Sequence, residues 1–296
     1  MIEGILLKGY GGFYYVYGDE RVWECSLRGR FRVKEQNFLP GDRVKIAVKD
    51  ETKGTVEAAL PRRNYLIRPA IANVDQVFLV FALTTPKPDM NLLDRLLIQV
   101  LAEKIEPVLV FTKLDKVEEH REEGGASGLA IPEIYREIGF EVCVISNKTG
   151  QGVETVAAHL KNKISVLAGP SGAGKSSLCN VLLPGMKLKT GELSAKAKRG
   201  RHTTRHIELM LCSGGFVADT PGFSSLFLPK MKREELSGYF PEFGPFGRRC
   251  RFSSCLHAKE PDCAVKEALE NKEIFHLRYA HYLTFLQEIS EAERRY

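Results

Sequence analysis

The chain has 296 residues, 44% hydrophobic and 27% charged, with a formal net charge of +6. That length holds two or three domains around a real core, and the composition is that of an ordinary soluble protein. Apolar runs of about 18 residues and a signal-peptide pattern after Met1-Ile2-Glu3-Gly4 are lacking, so no membrane partner is expected and a cytoplasmic location is.

Residues 1–66 read as all-β. Short strand-forming runs lie at 4–8, 12–17, 21–25, 43–48 and 54–58, punctuated by Gly9, Gly11, Gly18-Asp19 and Pro40-Gly41-Asp42. Five such strands in so short a stretch predict a small closed barrel such as an OB-fold. Residues 1–68 carry 13 Lys/Arg against 9 acids. Arg28, Arg30, Arg32 and Lys34 alternate along one stretch, and Tyr10, Phe13 and Tyr15 offer rings, the combination with which such a barrel holds nucleic acid. The alternative is that the rings are core and the arginines decorate a loop. Residues 61–69, between Pro61 and Pro69, read as a linker.

Residues 67–228 change texture. Continuous apolar runs at 77–82, 107–111 and 141–145 alternate with helical patterns, one with Leu92, Leu93, Leu96, Leu97, Val100 and Leu101 on one face, another over 152–163. Buried strands alternating with helices predict a parallel sheet covered on both sides, with ligands at the carboxyl ends of its strands. The next apolar run, 164–168, leads into Gly169-Pro170-Ser171-Gly172-Ala173-Gly174-Lys175-Ser176-Ser177, and then Leu178, Val181 and Leu182 share a helix face that stops near Pro184-Gly185. Strand, glycine-rich turn and helix N-terminus make a phosphate-binding loop. The glycines let backbone N–H groups converge on phosphate oxygens, Lys175 reaches the β- and γ-phosphates, and the Ser176 hydroxyl ligates Mg²⁺.

Other strand ends of this sheet carry further groups. Thr112-Lys113-Leu114-Asp115 follows the second run, Ser146-Asn147-Lys148-Thr149-Gly150 follows the third, and a strand at 216–218 ends in Asp219-Thr220-Pro221-Gly222. Together they describe a guanine site. Asp115 can accept from guanine N1–H and the exocyclic N2–H₂, a donor pair adenine lacks. Lys113 lies over the base, and the Ser146 loop presents backbone N–H to O6. Asp219 holds Mg²⁺ directly or through water, and the Gly222 amide meets the γ-phosphate. Residues 187–206 carry seven Lys/Arg and one acid. Their charge and few apolar side chains predict mobility without ligand and a polyanionic partner beyond the nucleotide.

Residues 229–296 look helical apart from Cys250-x4-Cys255-x-His257-x5-Cys263, which in a reducing compartment reads as a closed, structural Cys₃His zinc site. Arg248, Arg249 and Arg251 flank it and can face RNA phosphates. The remaining cysteines, Cys25, Cys143, Cys179 and Cys212, sit singly in apolar stretches as buried thiols.

These motifs match the circularly permuted GTPases, and the whole chain resembles the RsgA (YjeQ) family of small-ribosomal-subunit-dependent GTPases. The guanine motif comes first, then 146–148, the phosphate-binding loop, Thr203/Thr204 and Asp219-Thr220-Pro221-Gly222. The likeness includes Arg68-Pro69, Asn73-Val74-Asp75, Gly200-Arg201-His202-Thr203-Thr204 and the cysteine cluster. It implies an OB-fold barrel at 1–66, a permuted α/β GTPase domain at 67–228 and a mostly helical zinc-binding domain at 229–296. It also implies GTP/GDP, Mg²⁺ and one Zn²⁺ as ligands, and a monomer acting on the small ribosomal subunit and its rRNA in late maturation. One departure is Thr112, where the usual pattern has an Asn whose amide touches base N7 and braces the phosphate-binding loop; Thr replaces part of that. A second concerns hydrolysis. Phe223 follows Gly222, where Ras-like enzymes commonly place a water-orienting Gln. His202 is then the expected catalytic group; one of the pair Thr203/Thr204, taken as Thr204, joins Ser176 and Asp219 as the expected Mg²⁺ set, and both threonines contact the nucleotide site. The rival readings are an ATP-dependent kinase and a non-hydrolysing RNA-binding module. The kinase leaves Asp115 and the permuted order without purpose, and intact Lys175, Ser176 and Asp219 argue against the second.

Overall fold

A computed structural model describes residues 1–28, 37–67, 69–122, 129–183, 207–218 and 227–294. In the N-terminal part, β1 (Ile2–Tyr10), β2 (Phe13–Gly18), β3 (Arg21–Leu27), β4 (Arg43–Val48) and β5 (Lys53–Ala59) close a barrel in the order β1-β2-β3-β5-β4. Alternation along each strand sends Leu6, Val16, Trp23, Cys25, Val44, Ile46 and Val56 inward, and the buried Trp23 indole donates to the Gly18 carbonyl at 3.0 Å. The five expected strands all form.

The stretch expected to be a linker holds structure. β6 (Tyr65–Ile67) pairs antiparallel with β7 (Ala70–Ala72), so a division after residue 66 falls inside a strand. The cause is a pair of asparagines. Asn64 Nδ2 donates to the Val74 carbonyl at 2.8 Å, and Asn73 Oδ1 accepts from the Arg63 N–H at 2.8 Å, which closes the hairpin's open end. Asn73 Nδ2 also donates to the Gly41 carbonyl at 2.9 Å and ties the hairpin to the barrel.

The central part is a six-stranded sheet, β10-β9-β8-β11-β13-β12, made of β8 (Gln76–Ala82), β9 (Glu106–Thr112), β10 (Glu141–Val144), β11 (Ile164–Ala168), β12 (Leu209–Cys212) and β13 (Gly215–Ala218). All neighbours are parallel except β12, an antiparallel edge strand that turns through Ser213-Gly214 into β13. Every residue of β8 and β11 is buried, because helices cover both faces. On one face Val77, Leu79 and Phe81 meet Leu93, Leu96, Leu97 and Val100 of α1 (Met90–Ala102). On the other, Phe78 and Val80 share a cluster with residues of α4 (Val153–Leu160) and α5 (Lys175–Leu182). Two further helices, α2 (Leu114–Glu122) and α3 (Ala130–Ile138), follow β9. In α5 the buried pair is Leu178 and Cys179, whereas Val181, expected on the buried face, is 39% exposed.

The C-terminal part contains 3₁₀ turns Arg233–Tyr239 and Pro241–Phe243, then α6 (Gly244–Gly247), α7 (Ala264–Glu270) and α8 (His276–Glu293). Its core, including Leu236, Phe240, Phe243, Tyr282 and Phe285, also takes Ile98 from α1, so this region packs directly on the central domain. Cys25, Cys143, Cys179 and Cys212 are all buried and unbridged.

Candidate functional site

The phosphate-binding loop leaves β11 at Gly169, whose φ is +129°; a Cβ there would lie 2.1 Å from the Val80 carbonyl oxygen on the adjacent strand. Only glycine allows the loop to cross β8 so closely. The loop ends at Gly174, the N-cap of α5, with φ +97°. Ala173 is buried, while Ser171 and Gly172 are exposed at the loop's tip. Lys175 Nζ donates to the Gly169 and Pro170 carbonyls at 2.7 Å each, so the ammonium curls over the loop it belongs to. Ser176 and Ser177 stand half-buried in the first turn of α5.

Two strand-end loops meet this turn. Thr112 ends β9, is fully buried, and donates from Oγ1 to the Ala173 carbonyl at 2.5 Å. Asn147, just past β10, donates from Nδ2 to the Gly174 carbonyl at 3.1 Å. Between them, Asp115 in the first turn of α2 accepts at Oδ1 from Ser146 Oγ at 2.6 Å. Ser146 is itself buried, and its oxygen accepts from the Lys148 and Thr149 N–H groups at 3.3 and 3.2 Å. Backbone bonds from Leu114 N–H to Ile145 O (3.0 Å) and Ile145 N–H to Phe111 O (2.8 Å) hold the two loops in register. A carboxylate held by a buried hydroxyl, itself fixed by backbone, is a preorganised acceptor for paired N–H donors.

Lys113 donates to the Thr85 carbonyl, and burial lowers its ammonium pKa below the usual lysine value. Thr85 is a site residue that motif reading missed; the available signal was Thr84-Thr85-Pro86 at the carboxyl end of β8. Lys148 turns outward to an exposed pair with Glu119 at 3.2 Å, so its side chain is not gathered with the others. Thr112, Lys113, Asp115, Ser146, Asn147 and the loop 169–177 thus converge at one edge of the sheet. His202, Thr203, Thr204, Asp219 and Gly222, and the basic stretch 187–206, lie outside the described residues.

The C-terminal cluster forms as its spacing predicts. One ligand atom from each of Cys250, Cys255, His257 and Cys263 falls within 4.8 Å of the others. Cys250 and Cys263 sulfurs are 3.9 Å apart, and His257 Nδ1 lies 3.6 and 3.5 Å from them. A tetrahedral zinc ion requires edges of about 3.8 Å between sulfurs and about 3.6 Å between sulfur and nitrogen, so these three donors fit it, with Cys255 close enough to complete the set. Burial lowers the His257 pKa, favouring the neutral imidazole a metal needs. Burial and the adjacent thiols push Cys255 up to about 12, a crowding that a cation relieves. Glu260 accepts the Leu256, Ala258 and Lys259 N–H groups at 2.9 to 3.0 Å, and Tyr279 and Tyr282 donate to the His257 and Leu256 carbonyls at 2.7 Å. Four protein donors leave no open position, so a metal here is structural.

The barrel and the region of the cysteine cluster each carry exposed aromatic and basic side chains. Tyr10 and Phe13, at the β1–β2 turn, are 64% and 46% exposed, so these two rings are not core. Tyr15 is half-buried under Lys8, and Arg28 pairs with Glu57; Arg30, Arg32 and Lys34 lie outside the described residues. Beside the cysteine cluster, Arg248, Arg249 and Arg251 are exposed, with Arg249 over Phe246 and Arg251 over Phe252.

Comparison with known proteins gives one answer. The family model described as RsgA GTPase matches residues 59–229, and that described as RsgA N-terminal domain matches residues 3–56. The small ribosomal subunit biogenesis GTPase RsgA of Moorella thermoacetica is 53% identical over 296 residues, covering 100% of both chains. Among solved structures, YloQ, described as a circularly permuted GTPase, is similar with a TM-score of 0.81 and 38% identity over 99% of this chain and 96% of that one. YjeQ from Thermotoga maritima is similar with a TM-score of 0.80 and 36% identity over 97% of this chain and 98% of that one.

Proposed function

The chain belongs to the RsgA family of GTPases, and from that premise we propose that it hydrolyses GTP while bound to the small ribosomal subunit, in the late maturation of that particle. The observation that carries the reading is Asp115 held by the buried Ser146 hydroxyl at 2.6 Å, with Thr112 and Asn147 fastening the same loops to the phosphate-binding turn. That arrangement joins a guanine reader to a triphosphate cradle. An ATP-dependent kinase gives it no use, and a non-hydrolysing RNA-binding module has no need of Lys175, Ser176 and Asp219.

In this reading Asp115 accepts guanine N1–H and N2–H₂, Lys113 covers the base, and the backbone N–H groups of the 146–148 turn meet O6. The loop 169–177 wraps the phosphates, and Lys175 exchanges its carbonyl partners for the β- and γ-phosphate oxygens. Ser176 with Asp219 and Thr204 would hold Mg²⁺, which would supply charge neutralisation for the phosphates. His202 accepts from the attacking water, Thr203 contacts the nucleotide, the Gly222 amide meets the γ-phosphate, and the charge of the basic segment 187–206 favours the polyanionic subunit. The barrel and the arginines beside the cysteine cluster grip rRNA from either side, and the protein acts in the cytoplasm as a monomer. The division into 1–66, 67–228 and 229–296 belongs to the same proposal, with the β6–β7 hairpin as the joint after the barrel.

Phosphate release from GTP and ATP, measured with and without small ribosomal subunits, tests it. GTP turnover should be slow alone and strongly stimulated by subunits, with little ATP turnover. Equal rates with ATP, or no response to subunits, would overturn it. Subunit binding should also fall steeply with salt.

A further inference from the structure

Thr112 and Asn147 come from different strands yet converge on one point of the phosphate-binding loop. Thr112 Oγ1 bonds the Ala173 carbonyl at 2.5 Å, and Asn147 Nδ2 bonds the next carbonyl, Gly174, at 3.1 Å. A Cβ built on Gly174 would lie 3.1 Å from Asn147 Nδ2 and 3.3 Å from Thr112 Oγ1, so the two side chains line the same space beside this glycine. Lys175 and the first turn of α5 follow directly. The other end of the Asn147 amide, Oδ1, is buried without a hydrogen-bond partner among the described residues. An unpaired buried acceptor is costly, so packing alone would favour an apolar side chain here. The retained amide therefore has to be accounted for by what Nδ2 does.

We propose that Asn147 is a positioning residue that supplies, from the loop after β10, the amide brace that Thr112 is too short to provide from the loop after β9. Asn147 sits between Ser146, which holds Asp115, and the last carbonyl before Lys175. It thereby couples the base reader to the phosphate cradle. The space beside Gly174 admits one amide and one hydroxyl; two amides would crowd it. This inference rests on the guanine-site reading of the same loops.

The test is a double-mutant cycle of Asn147→Ala and Thr112→Asn. GDP affinity is measured with a fluorescent GDP analogue, and melting temperature is measured with and without GDP. Asn147→Ala should weaken GDP binding about three- to tenfold, the equivalent of one lost neutral hydrogen bond. Thr112→Asn alone should gain nothing, because its amide meets Asn147. In the double variant the introduced amide has room, and affinity should return to within about twofold of the starting protein. Asn147→Ala binding GDP normally would overturn the proposal, as would a double variant no better than Asn147→Ala. So would a lower melting temperature without GDP accompanied by an unchanged GDP-induced shift, since that is a structural role only. An unmodified protein that binds no guanine nucleotide would instead remove the guanine-site reading beneath it.

Discussion

Arg278 of α8 donates from Nη1 to Asp94 Oδ1 of α1 at 2.5 Å, with the side chains 3% and 0% exposed. Asp94 also accepts from Tyr135 Oη and His281 Nδ1, both at 2.6 Å, and Arg278 reaches Glu242 at 2.7 Å. Each partner is satisfied several times over, which is the condition under which buried charge is tolerated. The helix that carries Asp94 begins just past Thr85, so the C-terminal region is joined to the element that opens beside the nucleotide loops.

Removing one partner should therefore be severe. Asp94→Ala strips the buried Arg278 Nη1, Tyr135 Oη and His281 Nδ1 donors of their shared acceptor, and the expected loss is about 3–5 kcal/mol of stability in urea unfolding. A loss below about 1 kcal/mol would mean that solvent reaches Arg278 and the network is not closed.

Base choice depends on Asp115. Asp115→Asn exchanges an acceptor for an amide and should turn preference from GTP towards xanthosine triphosphate in a competition assay, with Ser146 still fixing one end of the side chain. Unchanged preference for GTP would take Asp115 out of the base site.

Metal analysis should find about one zinc per chain, and Cys255→Ser should lose it and loosen the C-terminal core. Acid should release the metal because the thiols must be deprotonated to bind it. Apparent affinity therefore rises with pH and falls as pH drops, because protons compete with the metal for each thiolate. A metal-free protein with an intact C-terminal fold would contradict the assignment.

Hydrolysis and binding should separate by residue. Lys175→Ala is expected to damage GTP binding itself, whereas His202→Ala should keep binding and lose most of the subunit-stimulated rate with little change in the intrinsic one. If His202→Ala responds to subunits as the unmodified protein does, another group orients the water.

Local chemistry carried much of this protein into view. The glycine spacing from Gly169 to Gly174, the strand-end placement of Asp115 and Ser146, and the Cys₃His spacing each imply a function, because backbone reach and ligand geometry act over a few residues. The β6–β7 hairpin was not legible, since the asparagine bonds that close it run between residues about ten apart, where proline punctuation pointed to a linker. Strand β12 was legible in principle, since the apolar run Leu209-Met210-Leu211-Cys212 leads through Ser213-Gly214 into β13, but a run of four beside a basic stretch drew no strand assignment. What only the tertiary structure decided are the contacts between distant segments: Thr112 and Asn147 on one glycine, Lys113 on the Thr85 carbonyl, Asp94 beneath Arg278. The residue types at those positions are ordinary on a helix face or loop. Only packing, which removes water and leaves each polar atom one available partner, gives them their roles.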